Sequence, residues 1–376
     1  MFKKSIREQR NRFYGNARFS EVVYENSRKA RDPPNWISGD ETITRLYSLK
    51  ASDIRMRTKK KNESGILNQN LCGSNLGYSG RQDGDPIGGG YTFANVAYPG
   101  KKYNIGSTFR EQDMGNLLQL VFQCDQYFRH KNIELITDSH FGHLVPVAFC
   151  RLWGIHCTSS ALVSRKGLSK ISFLSKKKLT KEEIKVKLEA KNSDEVKEMK
   201  SFDPFSNLES SEDDEDEEQI LDYAEQKPKK KGLRTECAFY EQKLMTKPKG
   251  SYEVYKTNFS VGEHFNTPVY LHVVWDSKVV YRISTKYAAK PSVPLSIVVK
   301  VKNKKSKVTA QTSEAHKTFR NQLGHNDQSD GKRALIGLSS RYYKRWPQKP
   351  FAKNWEDGLI NSYLNYLLDP GCPTES

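Results

Sequence analysis

Apolar and polar positions along the chain follow two periods, and the switches between them mark out the elements. Ile37, Thr42, Ile43 and Thr44 favour a strand that carries Asp40. "RMRTKKKNESGILNQNLCGSNLGYSG" (55–80) opens as a basic loop and continues as a second strand. "GRQDGDPIGGGY" is turn chemistry, and "TFANVAYPG" is a third strand. Between 111 and 130 the period lengthens: Met114, Leu117, Leu118, Val121, Phe122 and Phe128 recur at helical spacing. Ile133, Leu135 and Ile136 then form a short buried strand that ends at Asp138. "VPVAFCRLWG" predicts a short helix with Pro146 in its first turn, and "IHCTSSAL" a closing strand. The predicted order is three strands in a meander, helix, strand, helix, strand.

The pattern breaks from about 175. "KKKLTKEEIKVKLEAKNSDEVKEMK" is charged throughout, "ESSEDDEDEEQ" is acidic, and "KPKKKG" is basic. Charge blocks of this kind cannot build a core and predict disorder. Structure resumes at Gly250. "SYEVYKTNF", "PVYLHVVWDS" and "KVVYRISTKY" alternate as a small antiparallel sheet. "VKVKNKKSKVTAQTSEAHKT" is expected to be a basic polar connector. "NWEDGLINSYLNYLLD" is a final helix, with Trp355, Leu359, Ile360, Tyr363, Tyr366 and Leu367 as its apolar stripe. The resulting division is a basic N-terminal segment (1–33), the first part of a main domain (34–174) and a charged, disordered insertion (175–249). A β-rich subdomain with its basic connector (250–310), the last part of the main domain (311–369) and a tail (370–376) complete it.

Composition then narrows the class. The 376 residues carry a formal charge of +18, although eight carboxylates lie in the single block Glu209–Glu218. Such a surface suits a polyanion, above all nucleic acid. No secretory h-region opens the chain, and no apolar run is long enough to span a membrane. The six cysteines form no CxxC pair, so no zinc ribbon or finger is predicted. The spacing fits a reducing compartment, cytosol or nucleus, and "KPKKKG" (Lys227–Lys231) gives a candidate contact for a nuclear import receptor. Cys150, His156 and Cys157 are read as packed side chains beside a strand.

The candidate chemistry is acidic. Asp40 and Asp138 lie on strands that carry them toward a common edge, and Asp327 and Asp330, three apart, share a face if helical. Converging carboxylates repel at low dielectric, and a hard divalent ion with oxygen ligands relieves that cost. Taken singly, Asp138 reads as a cap for the next helix, Asp40 as a turn acid beside Glu41, and Asp327 and Asp330 as loop solvation. The basic runs "RMRTKKK", "RKGLSK" and "RYYKRWPQK" supply candidate phosphate contacts in Arg57, Lys59, Lys60, Arg165, Lys166, Arg341 and Lys344. Tyr342, Tyr343 and Trp346 are candidates for stacking on bases, with core packing as the alternative for Tyr343 and Trp346.

Six segments together resemble the piggyBac-type transposases and the host proteins derived from them. "GDETI" resembles the first acidic motif, and "TKKKNESGILNQNLCGSNLGYS" the Lys-rich loop and strand after it. "ITDSHFGHLVPVAFCRLWGIHCTSSALVSRKGL" is similar to the second-acid segment, and "YLHVVWDSKVVYRIST" to a hairpin of the insertion. "FRNQLGHNDQSD" resembles the third-acid motif, and "KRWPQKPFAKNWEDGLINSYLNYLL" the closing helix. The resemblance runs over about 34–368. It implies an RNase H-like fold: a mixed five-stranded sheet flanked by helices, interrupted by an inserted charged linker and a small antiparallel β subdomain. It also implies a metal-dependent DNA transposase in which Asp40, Asp138 and Asp327 hold two Mg²⁺ (or Mn²⁺) ions, Asp330 supports them, and catalytic domains pair as homodimers. The family nicks element ends, joins them as hairpins and inserts at TTAA sites. The sequence departs from the family pattern at Phe319–Asn321, at His325 and Asn326, and at Ser139. It also lacks most of the usual flanking DNA-recognition parts. The competing expectations are a catalytically inactive, transposon-derived DNA- or chromatin-binding protein and a partial gene copy.

Overall fold

The computed structural model describes residues 14–46, 56–57, 64–74, 89–97, 124–162, 236–261, 265–288, 292–301, 304–341, 343 and 347–367. The chain divides into two compact units, one of residues 1–142, 149–160 and 317–376 and the other of 143–148 and 161–316.

The first unit is built on a mixed sheet. β1 (Trp36–Arg45) pairs antiparallel with β2 (Ser64–Ser74), which pairs antiparallel with β3 (Gly89–Ala97). On its other side β1 pairs parallel with β4 (Glu134–Thr137), and β4 pairs parallel with β5 (His156–Ala161). The two residues Met56–Arg57 add a short antiparallel rung to the start of β2. The predicted three-strand meander and the two later strands are all present. The sheet core holds Ile37, Ile66, Leu71, Phe93, Leu135 and Ile136. β2 also buries Asn68 and Asn70, whose amides donate to Thr44 and Thr42 at 2.9 Å each on the neighbouring β1. A buried amide is tolerated only when bonded, and those threonines supply the acceptors.

Helices complete this unit. α1 (Tyr14–Ala30) lies in the stretch read only as a basic segment. Of the helix predicted over 111–130, a single turn at Asp125–Phe128 is described, and 111–123 lie outside the described residues. In the second unit, α2 (Leu144–Phe149, its last residue in the first unit) matches the predicted short helix, and α3 (Glu236–Met245) occupies the end of the stretch expected to be disordered. Residues 163–235 lie outside the described residues.

The second unit carries the predicted three-stranded antiparallel sheet: β6 (Tyr252–Val261), β7 (Phe265–Trp275) and β8 (Val279–Ser284). The expected connector is instead a two-stranded antiparallel ribbon, β9 (Ser292–Val301) with β10 (Lys304–Ser313), followed by α4 (Glu314–Gln322). The alternation of Val293, Leu295 and Ile297 with Ser292, Pro294 and Ser296 is the strand signal that the lysines obscured.

α5 (His325–Ile336) and α6 (Gln348–Leu367) close the first unit against β1, β2 and β3. Of the stripe expected to bury α6, Ile360 is buried, but Trp355, Leu359, Tyr363 and Tyr366 are turned outward and 43–58% exposed. Ile360 and Leu364 face inward, together with Lys353, Asn354, Asp357 and Asn361. α1 runs beside α6 and satisfies that polar face. The Tyr24 hydroxyl reaches Asp357 Oδ2 at 2.7 Å, and Asn361 Nδ2 donates to Ser27 Oγ at 2.8 Å.

Candidate active site

β1 and β4 run parallel, and their last paired positions are Gly39 and Thr137. Asp40, the next residue of β1, and Asp138, the first residue past β4, follow at once. The register therefore delivers them side by side on strands about 4.8 Å apart. The third acid arrives on α5, where Asp327 sits in the first turn. Its placement is fixed by the residue before it. Asn326 Nδ2 donates to the carbonyl and hydroxyl oxygens of Ser38 at 2.9 Å each, and Ser38 Oγ donates to the Leu323 carbonyl at 2.8 Å. Ser38 is two residues before Asp40, so this clamp ties the start of α5 to the strand that bears the first acid. Gly90 on β3 lets α5 approach: its φ is +88°, and a Cβ there would lie 2.7 Å from the Ser329 nitrogen.

Asp40 lies in the field of the other acids. Burial pushes the Asp40 carboxyl up to about 6, and the charges of Asp138, Asp327 and Glu41 add to the rise. The N–H of Glu41, donated to Asp40 Oδ1 at 2.7 Å, opposes it. Glu41 is pushed up to about 7, first by burial and then by Asp138. Among the described residues no lysine or arginine pairs with Asp40, Asp138 or Asp327. His140 is the nearby basic group, with Nε2 3.2 Å from Glu41 Oε1.

Asp138 is not a helix cap. Its Oδ1 accepts the N–H of His140 at 2.7 Å, a turn of Asx type, while its carbonyl accepts from Ser159 Oγ at 2.9 Å. Thr137 Oγ1 donates to the same Ser159 at 2.8 Å, so β5 braces the end of β4. The turn needs glycine at 142, where a Cβ would stand 1.7 Å from the Ser160 carbonyl oxygen.

The remaining candidates separate. Asp330 forms an ion pair with Arg333 one turn along α5. Arg333 is buried and also holds Asp357 at 2.6 Å. Arg341 is exposed, Arg57 lies on the short rung beside β2, and Tyr343 donates its hydroxyl to the Leu338 carbonyl at 2.9 Å. Lys59, Lys60, Arg165, Lys166, Tyr342, Lys344 and Trp346 lie outside the described residues, as does the run Lys227–Lys231. Cys150 and Cys157 are buried thiols. The Cys157 thiol is pushed well up, first by its contact with Cys150 and then by burial, which makes it inert. Sequence reasoning missed Ser38 and Ser159, and took Asn326 only as a departure. A serine or an asparagine carries no periodic signal, so nothing marked them before the elements were assembled.

A divalent ion suits hard carboxylate oxygens of this kind, with Asp40 half-buried near two further acids. Among the described residues, no three histidine, cysteine or acidic side chains already stand close enough together to form a metal cage. No helix among the described residues is long and apolar enough to cross a membrane.

No protein-family model matches the chain, and no curated protein matches it by sequence. Among solved structures, it is similar to the transposase chain in a cryo-EM structure of a piggyBac transposase synaptic complex with hairpin DNA. The TM-score is 0.52 and the identity 14%, and the match covers 98% of this chain and 55% of that one. At that identity the likeness shows the fold alone: a mixed α/β fold like that of the piggyBac transposase, of which this chain spans 55% of the length.

Proposed function

We propose that this chain is the catalytic part of a piggyBac-like DNA transposase, with an RNase H-like core that cleaves and transfers DNA strands in a metal-dependent reaction. The observation that carries the reading is the placement of Asp40 and Asp138 on neighbouring parallel chain segments, with Asp327 in the first turn of the helix that Asn326 ties to Ser38. Three acids from remote parts of the chain crowd one sheet end without a basic partner among the described residues. Repulsion of that kind is retained in a fold when a cation from outside offsets it.

Asp40, Asp138 and Asp327 would hold Mg²⁺ or Mn²⁺, and the bound ions would polarise the scissile phosphate and activate the attacking oxygen. The chain's own part is positioning. Ser38 and Asn326 hold Asp327 against β1, and Ser159 fixes the backbone at Asp138. Rigid support of this kind carries most of the rate advantage in phosphoryl transfer. Asp330, paired with Arg333, serves to orient α5. The basic excess of the chain fits a DNA substrate, and the similar solved structure is itself a complex with hairpin DNA. Pairing as a homodimer, and nuclear entry through Lys227–Lys231, belong to the same reading.

The test is Mg²⁺- or Mn²⁺-dependent nicking of supercoiled DNA by the purified chain. Asp138→Asn is expected to abolish it, and equal cleavage by that variant overturns the reading. One observation favours a second reading, a non-catalytic DNA- or chromatin-binding protein: Asp330 is committed to Arg333. That reading expects salt-dependent DNA binding unchanged when all three acids are replaced by asparagine, with no nicking by the unmodified chain.

A further inference from the structure

α6 buries its charges and exposes its aromatic residues. Among its described residues the charged ones, Lys349, Lys353, Glu356 and Asp357, are all buried. The large side chains that it exposes are Gln348, Phe351, Trp355, Leu359, Tyr363 and Tyr366. In a chain with 28% charged residues, a helix face that shows water no charge is a departure. A contiguous apolar patch of this kind marks an interaction surface. α1 widens it. Phe19 stacks on Phe351 and on Trp355, with ring centroids 4.4 and 6.2 Å apart. Between the two helices a groove of about 330 Å³ runs past Val23, Asn26, Trp355, Leu359 and Ser362.

Three observations select the occupant. The first is spacing. From Gln348 to Tyr366 the exposed large residues stand three, four, four, four and three positions apart, the same in either direction. A two-fold axis over the middle of the stripe therefore sets Trp355 of one copy against Leu359 of the other, Phe351 against Tyr363, and Gln348 against Tyr366. That is the self-complementary contact of an isologous pair, and rows four apart nest into like rows at a crossing angle of about −50°. The second is charge. Two chains of +18 each repel over most of their surface. The charges that α1 exposes, Arg18, Glu21, Glu25 and Lys29, are two of each sign, and Lys29 lies 2.6 Å from Glu25. The face is thus neutral as a whole. A nucleic-acid strand that stacks on aromatic rings is also held by a positively charged groove, which this face does not offer. The third is area. A whole aromatic side chain buries roughly 150–250 Å², and about half of each of Phe351, Trp355, Tyr363 and Tyr366 is open to water, so these four offer about 300–500 Å² per copy. With Leu359, the half-exposed Val22 and the rim, the face approaches the roughly 800 Å² per partner of a stable interface.

We propose that the outer face of α6, with the flank of α1, is the surface on which a second copy of this chain docks, the two α6 helices antiparallel about a two-fold axis with Trp355 and Leu359 at its centre. Aromatic residues at the middle of an interface, with charges kept to its rim, carry most of the binding in such contacts. The inference takes only the pairing of two chains from the reading above. It needs neither the metal nor the DNA.

The experiment is sedimentation velocity of the full chain from submicromolar to tens of micromolar concentration, without DNA or divalent ions. The unmodified chain is expected to pass from one copy to two within that range. Leu359→Glu puts an unpaired charge at the centre of the face and is expected to weaken pairing at least ~100-fold. Trp355→Lys should do the same. Mixed in equal amounts, the two variants should pair again, because the axis sets the introduced acid of one against the introduced base of the other. Melting in dilute solution, where single copies dominate, should be little changed by Leu359→Glu, which separates loss of pairing from loss of fold. A chain that stays single at the highest concentration overturns the proposal. So does a dimer that both variants leave intact, and so does a mixture that fails to pair. Loss of single-stranded oligonucleotide binding in Trp355→Ala with no change of mass also overturns it and makes the face a stacking platform. Asp138→Asn, run in parallel, should pair like the unmodified chain while losing nicking. Failure of the pairing and failure of the catalytic reading are thus read separately.

Discussion

The half-buried Asp40 and the fully buried Asp357 belong to the same unit and stand in opposite electrostatic conditions. Burial raises both. At Asp357 the attraction of Lys353 and Arg333, with hydrogen bonds from Tyr24 and Arg333, overcomes burial and holds the carboxyl at about 2. Lys353 Nζ lies 3.1 Å and Arg333 2.6 Å from its oxygens. At Asp40 the neighbours are acids, and the carboxyl rises to about 6. One acid is neutralised from within the chain and contributes to the fold. The other is left with burial and the repulsion of neighbouring acids.

The largest expected effect separates the two by chemistry. Asp138→Asn should lower metal-dependent nicking by at least ~100-fold, while Asp357→Asn should leave any residual folded protein able to nick. Next comes stability. Asp357→Ala strands two buried cations and should cost about 3–5 kcal/mol in urea unfolding. A loss below about 1 kcal/mol would show that the network contributes little.

A smaller effect, of opposite sign, is expected at the acid edge. In the metal-free protein Asp40→Asn should stabilise by about 1–2 kcal/mol at pH 7.5, after allowance for the screening of a half-buried group. The folded carboxyl binds its proton more tightly than the unfolded one. Asp40 and Glu41 therefore make stability fall as pH rises from about 4 to about 7. Asp357 works the other way. Its contribution is present above about pH 4 and is lost as pH falls toward 2. Melting temperatures from pH 3 to 8 with and without Mg²⁺ check both signs. The ion should raise the melting temperature of the unmodified chain at pH 7.5 more than that of Asp138→Asn.

The smallest effect concerns α6. Tyr363→Ser, on the exposed side, should change stability by no more than about 0.5 kcal/mol. Leu364→Ala, its buried neighbour, should cost about 2–5 kcal/mol. Similar losses at the two sites would return the helix to the orientation that its apolar stripe predicts.

The strands of the first unit, the short helix after Asp138 and the three-stranded sheet of the second unit were legible in the sequence. Their side-chain periods are local, set by which residues an element can bury. The strand that contains Asp40 and the one that ends just before Asp138 were among these elements. The ribbon β9–β10 was hidden because its lysines outweighed a valine, leucine and isoleucine alternation in which only one face needed burial. Most of α6, Ile360 apart, was read inside out for a related reason. Lys353, Asn354, Asp357 and Asn361 look like a solvated face until Tyr24, Ser27 and Arg333, the first two more than 300 residues away in sequence, appear as their partners. Local patterning thus determined where the elements and the acids lie along the chain. Only the tertiary structure decided which acids meet, which are neutralised from within, and that Ser38 and Asn326 hold the third beside the first. Those outcomes depend on pairings between distant segments, and no local period encodes them.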